Sequence, residues 1–387
     1  MSMLKVFFLL LGIISLEQEE KLIIDITSPK YKPVKVILES SKDTSSISEM
    51  IKRNLKVIGY VELVESSPDV LLSLSKEGDF FVLKGFFGKG KDPIFILRAK
   101  SESPTAIADA LSNQIISKIT GLKVDIFGRK LFFLSNEEGK KEIYSMDFLS
   151  GKREKFIQAK SFIPFFSVSP DASKIALVHF NGKEYSLYIA DSSTKKLYTT
   201  SIKFGMFLSP YFSDNDNLII PWNDGKGANI YVLNLKEKSF KKITSGNSDV
   251  MGKITPDGKS LIFVSGRLGL PQIFVKDLKN GRESVLPLSG NYNTSPDISP
   301  DGKKIVFSKL EGNRFSIYIY DFDRSEERPI ITNFGSAENP TWTPDGNFII
   351  FSSNIDGDYD LYITDQYGNF KNKIFDTQKD ETMGFLK

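Results

Sequence analysis

One stretch recurs along this chain and limits the folds open to it. The words IYSMD, LYIAD, IYVLN, IFVKD, IYIYD and LYITD carry an aromatic at Tyr144, Tyr188, Tyr231, Phe274, Tyr318 and Tyr362. Successive spacings are 44, 43, 43, 44 and 44 residues. A turn word leads the later copies: Pro256-Asp257-Gly258, Pro300-Asp301-Gly302 and Pro344-Asp345-Gly346. Proline presets φ, aspartate tolerates the bent position, and glycine accepts positive φ. The word weakens to Pro170-Asp171-Ala172 and shrinks to Asp214-Asn215-Asp216, which accounts for one of the shorter spacings. A repeat of roughly 40–45 residues with four short strands per copy reads as a β-propeller blade. Six copies in register predict a six-bladed β-propeller over 123–387.

Closure of the ring can be read from the same period. The inner strand of each unit stands just before the turn word, as at Asn339 to Thr343. The first unit, beginning near Arg129, has no such strand upstream. Trp342 advanced by 43 residues lands on Phe385. The residues Thr382 to Lys387 are therefore expected to supply the missing inner strand of the first blade. An open ring would leave two unpaired edges.

Residues 22–122 do not repeat and predict a small α/β domain. Val34 to Leu38, Val61 to Val64 and Val70 to Leu74 read as strands. Phe80 to Phe87 and Ile94 to Ala99 read as a hairpin about Gly88-Lys89-Gly90. That glycine pair completes neither phosphate-binding fingerprint. One helix is expected from Ser46, with Glu49 completing a capping box and Gly59 at its C-terminus. A second starts at Ser103-Pro104 and stops at Gly121. Ahead of this domain, Lys5 precedes an apolar run from Val6 to Ile14, and Glu17, Glu19 and Glu20 follow. The run is too short to span a bilayer and fits a signal peptide over 1–21, hence export. No later stretch could span a membrane as a helix.

Composition narrows the functions. Among 387 residues the charged fraction is 26% and the net charge only +3, with no long basic run, so a dedicated nucleic-acid binder is not expected. There is no cysteine, which excludes disulfides and thiolate metal sites. The single histidine, His179, ends a second strand where sister repeats carry Ser135, Ser265 and Ser353. It lacks the nucleophile and acid that a catalytic histidine needs. Asp147, Asp191, Asp277, Asp321 and Asp365 recur once per blade and read as architecture. Asp356, Asp358 and Asp360 fail the spacing of a calcium loop and read as a solvated loop. No cofactor is expected, although the channel could hold a cation.

The remaining candidates ring one mouth of the channel. Before the inner strands stand Asp249, Met251, Asn291, Tyr292, Asn293, Glu338 and Asn339. In loops joining second to third strands stand Arg267, Leu268, Arg314 and Asp356. Mixed aromatic, amide and charged residues suit a protein-binding surface.

The order of parts resembles the TolB family: a signal peptide, a small α/β domain and six Pro-Asp-Gly blades. The junction Lys118-Ile119-Thr120-Gly121-Leu122-Lys123, the run Arg129 to Ser135 that follows, and the short C-terminal strand share in the resemblance. It implies a non-enzymatic periplasmic component of the Tol–Pal system. The propeller would bind a Pal-like outer-membrane lipoprotein, and the N-terminal region would communicate with a TolA-like inner-membrane protein. Roles in outer-membrane constriction at division and in envelope integrity are implied too. Two other readings stay open: a propeller-containing hydrolase of the prolyl-oligopeptidase type, and a propeller that binds peptides or sugars.

Overall fold

The structure is a computed structural model that describes residues 25–28, 31–136, 139–148, 152–157, 162–200, 205–377 and 379–387. The expected signal peptide lies outside the described residues.

Alternation of apolar and polar residues builds the N-terminal sheet. Strands β1 (Val34–Ser40), β2 (Val61–Leu63), β3 (Val70–Glu77), β4 (Phe80–Phe87) and β5 (Phe95–Ala99) stand in the order β2-β1-β3-β4-β5. Strand β1 runs parallel to both neighbours, and β3, β4 and β5 are antiparallel. Helix α1 (Ser45–Val57) buries Ile47, Ile51 and Leu55, and α2 (Pro104–Thr120) buries Ile107, Leu111, Ile115 and Ile119. The start of α2 is capped by the Ser103 hydroxyl, which accepts from the Ala106 amide, and Gly121 ends it at φ +73°. The expected capping box of α1 is absent. A 3-10 turn over Lys42–Thr44 starts the helix at Ser45, so Ser46 is already inside it. Glu49 pairs instead with Lys52 at 2.8 Å.

Gly59 also serves a purpose the sequence did not suggest. The C-cap of α1 is Ile58, and a Cβ on Gly59 would lie 2.5 Å from the Phe370 side chain. Gly59 is small because blade 6 presses on it.

Six antiparallel sheets follow, each an inner, second, third and outer strand. In blade 6 these are Ala337–Trp342, Phe348–Ser353, Asp360–Asp365 and Asn372–Lys373. The turn words work as their chemistry dictates. In blades 4, 5 and 6 the hydroxyls of Thr255, Ser299 and Thr343 donate to Asp257, Asp301 and Asp345 at 2.6–2.7 Å. Gly258, Gly302 and Gly346 stand at φ +71° to +72°. Blade 3 departs from the pattern: its inner strand is split into Met206–Phe207 and Tyr211–Phe212.

Blade 1 takes its inner strand from Glu381–Leu386, which pairs antiparallel with Lys130–Ser135. Thr382 faces Leu134, and Phe385 faces Phe132. The segment after α2 serves the same seam at the turn-word rim. There the Asp125 amide donates to Asp345 at 3.0 Å, and Asn347 donates to the Lys123 carbonyl at 2.8 Å.

The N-terminal domain sits on that rim. Its core is continuous with that of blades 1 and 6, through Tyr60, Phe348, Ile363 and Phe370 among others. The Tyr60 hydroxyl, fully buried, donates to Asp365 at 3.0 Å. Asn369 and Asn372 donate to the carbonyls of Ile26 and Val57. The opposite face of the ring, with the loops before the inner strands, is left uncovered by this domain.

Candidate protein-binding face

A bulge shapes the inner strands of blades 4, 5, 6 and 1 at the channel. Met251, Ser295, Asn339 and Met383 adopt φ of +50° to +58°. At each the strand skips register, as between Val250 and Lys253. The bulged residues border a cavity of about 50 Å³ on the axis, with Tyr211 and Phe385. Lys253 is its charged lining residue, held by Asp297 at 2.6 Å. Among the described residues no group of three His, Asp or Glu could hold a metal ion. The residues lining this cavity include no Asp or Glu.

Of the candidate contact residues, two are not on the surface. Asp249 and Asn293 are fully buried, because the inner strands begin two residues earlier than their sequence suggests. Asp249 accepts from Ser265 at 2.6 Å, from Arg267 at 2.7 Å and from the Gly246 amide at 2.9 Å. Burial pushes its carboxyl up, but the Arg267 guanidinium and the Ser265 hydroxyl outweigh burial and hold it below the usual carboxylate range. Asn293 donates to Gln272 at 2.9 Å. Both residues fasten loops from within, so a docked protein would not reach them.

The others stand where a partner could touch them. Met251 and Asn339 line the cavity half-buried. Asn291 and Arg314 are exposed, and Tyr292 packs edge-on against Phe315 with ring centroids 5.7 Å apart. Glu338 accepts from Ser336 at 2.8 Å and from the Tyr359 hydroxyl at 2.6 Å. Burial, with Glu338 beside it, pushes the Tyr359 phenol up to about 12. Arg267 also clamps Glu283, at 2.5 Å. Asp356 and Asp360 do not form a solvated loop together: Asp360 is 1% exposed, and both carboxylates pair with Lys373 at 2.8 Å.

Sequence reasoning named Leu268 but passed over Leu270 and Ile355, its apolar companions on these loops. Leu268 is 63% exposed, Leu270 46% and Ile355 40%. Two apolar residues flanking a glycine in the 266–271 loop were the available signal.

Away from this face, the recurrent aspartates fasten turns. Asp191, Asp277 and Asp321 each accept from two backbone amides just beyond them. His179 stacks edge-on with Tyr188, and burial lowers its pKa.

Comparison with known proteins agrees with this architecture. The family described as TolB beta propeller domain matches residues 118–383. A curated TolB homolog of Chlorobium luteolum is 28% identical over 177 residues, 46% of this chain and 40% of that protein. One from Chlorobium chlorochromatii is 34% identical over 163 residues, 42% of this chain and 37% of that protein. The chain thus matches about two fifths of the length of these relatives. The crystal structure of TolB from Acinetobacter baumannii superposes with a TM-score of 0.80. It covers 92% of this chain and 96% of that one at 18% identity, which speaks for the fold. The chain belongs to the TolB β-propeller family.

Proposed function

We propose that this chain is a non-enzymatic, periplasmic protein-binding component of a Tol–Pal system. Its uncovered propeller face takes a Pal-like outer-membrane lipoprotein, and its N-terminal region communicates with a TolA-like inner-membrane protein. Family membership supports the general role. The observation that carries the binding face is the exposure of Leu268, Leu270 and Ile355 on the channel-mouth loops. Large apolar side chains held out on short, well-built loops suit burial by a partner. The N-terminal domain occupies the other rim, so both partners can be held at once. Export is supported by the apolar run behind Lys5. Among the described residues no helix is long and apolar enough to cross a membrane.

Calorimetry of the chain with the soluble domain of such a lipoprotein tests the reading. Leu268→Asp and Tyr292→Ala should each weaken binding by about 2 kcal/mol, roughly thirtyfold in Kd. Variants on the outer strand of blade 2, such as Tyr198→Ala, should bind as wild type does. Unchanged affinity in the first pair would move the site off this face. Hydrolase activity in the purified chain would overturn the adaptor reading itself.

A further inference from the structure

The strand that closes the ring begins with a buried acid that has one oxygen unaccounted for. Glu381 is fully buried. Its Oε1 accepts from the hydroxyls of Ser135, at 3.2 Å, and Thr377, and lies 3.6 Å from Arg153 Nη1. Its Oε2 is buried without a hydrogen-bond partner. Beside it in blade 6, Asp360 is in the same condition. One oxygen takes the Lys373 ammonium at 2.8 Å, while Oδ1 is buried without a partner. The main chain brings the two residues together: the Glu381 amide donates to the carbonyl of Tyr359, next to Asp360, at 2.6 Å. An ionised carboxylate can only accept, whereas a protonated carboxyl also donates. A proton on Glu381 would turn its orphaned oxygen from an acceptor into a donor.

We propose that Glu381 is the protonated member of a carboxyl–carboxylate pair with Asp360, and that this shared proton latches the closing strand of blade 1 onto blade 6. The molecule contains its own control. Asp249 holds the equivalent place in blade 4, one methylene shorter, and both of its oxygens are engaged by donors. There the donors win over burial. At Glu381 burial wins, raising its pKa to about 7 against the opposing effects of Thr377, Ser135 and Arg153, and the Asp360 charge pushes the same way. The surrounding charges do not remove the need for a proton. Lys373 is shared among Asp356, Asp360 and Asp376. The Asp358 and Asp376 charges raise Asp360 further, after its own burial. Asp380 accepts from the Tyr359 amide, and Arg153 Nη1 lies 3.6 Å from Glu381 Oε1.

The sign follows from the geometry. The closed seam holds the proton more tightly than an opened strand would, so closure is fully stabilised below the ordinary glutamate range. It weakens as pH rises to about 7. Hydrogen exchange of the amides from Thr382 to Leu386 in the full chain, corrected for intrinsic rates, reads this directly. Opening should increase about twentyfold between about pH 5.5 and 7.5. In Glu381→Gln, whose amide can donate to Asp360 without titrating, the increase should vanish. Titration of the Glu381 carboxyl carbon by NMR in the unaltered chain gives a second reading, expected to have its midpoint near neutrality. A midpoint in the ordinary glutamate range would overturn the latch. So would the same pH slope in Glu381→Gln, or exchange governed by added calcium rather than by pH.

Discussion

At residue 172 the repeat places alanine where three sister blades place glycine. Ala172 adopts φ +57°, against +71° to +72° at Gly258, Gly302 and Gly346. A Cβ in the left-handed region costs about 1–2 kcal/mol, and a flexible glycine in the unfolded chain returns part of that. Ala172→Gly should therefore stabilise the propeller by about 0.5–1 kcal/mol in chemical denaturation, without altering partner binding. A destabilised variant would mean that the Ala172 methyl packs well enough to outweigh the strain. The turn words were legible because their chemistry is local: proline, aspartate and glycine act within four residues. The channel residues were not. Ser295 and Asn339 precede prolines, which favours extended backbone, yet the bulge holds both at positive φ. Likewise, nothing local distinguishes the buried Asp249 from an exposed loop acid. Its burial is set by Ser265 and Arg267, 16 and 18 residues away.

Elements repeat the lesson at longer range. The second helix was legible from end to end, since its cap, apolar face and terminal glycine are all written within it. The start of the first helix was misread because a 3-10 turn before it decides it. Its end before Gly59 was legible, but the contact with blade 6 that keeps Gly59 small was not. Phe370 cannot yield easily, being packed on Tyr60 at 5.4 Å and on Phe348 at 6.4 Å between centroids. Gly59→Ala should cost about 1–3 kcal/mol by overpacking. The strain should appear as faster hydrogen exchange in β2 and in the 366–371 loop, with blade 4 unaffected. Exchange unchanged in both segments would show that the domain interface absorbs a methyl group without strain.

For the whole molecule, the account rests on a ring closed by a strand from the other end of the chain. The period of the repeat made this legible: it counts blades, and counting exposes the one that lacks a strand. What the period could not show is how the N-terminal domain attaches, because Tyr60–Asp365 and Asn372–Val57 join segments without common pattern. Removing Thr382 to Lys387 tests the closure most directly. The closing strand buries Leu386, sets Phe385 against Phe166 with centroids 5.0 Å apart, and takes the Thr341 hydroxyl on the Gly384 carbonyl at 2.6 Å. Several ladder hydrogen bonds at about 1 kcal/mol and two apolar side chains at about 2 kcal/mol each would go together. The loss, on the order of 5–8 kcal/mol, rivals the total stability of many domains, whereas ordinary chain ends tolerate trimming. Thermal unfolding and light scattering of the truncated and full-length chains should show a steep fall in Tm and aggregation through the freed edge of Lys130–Ser135. A truncated chain that stays monomeric and melts within a few degrees of full length would contradict the account.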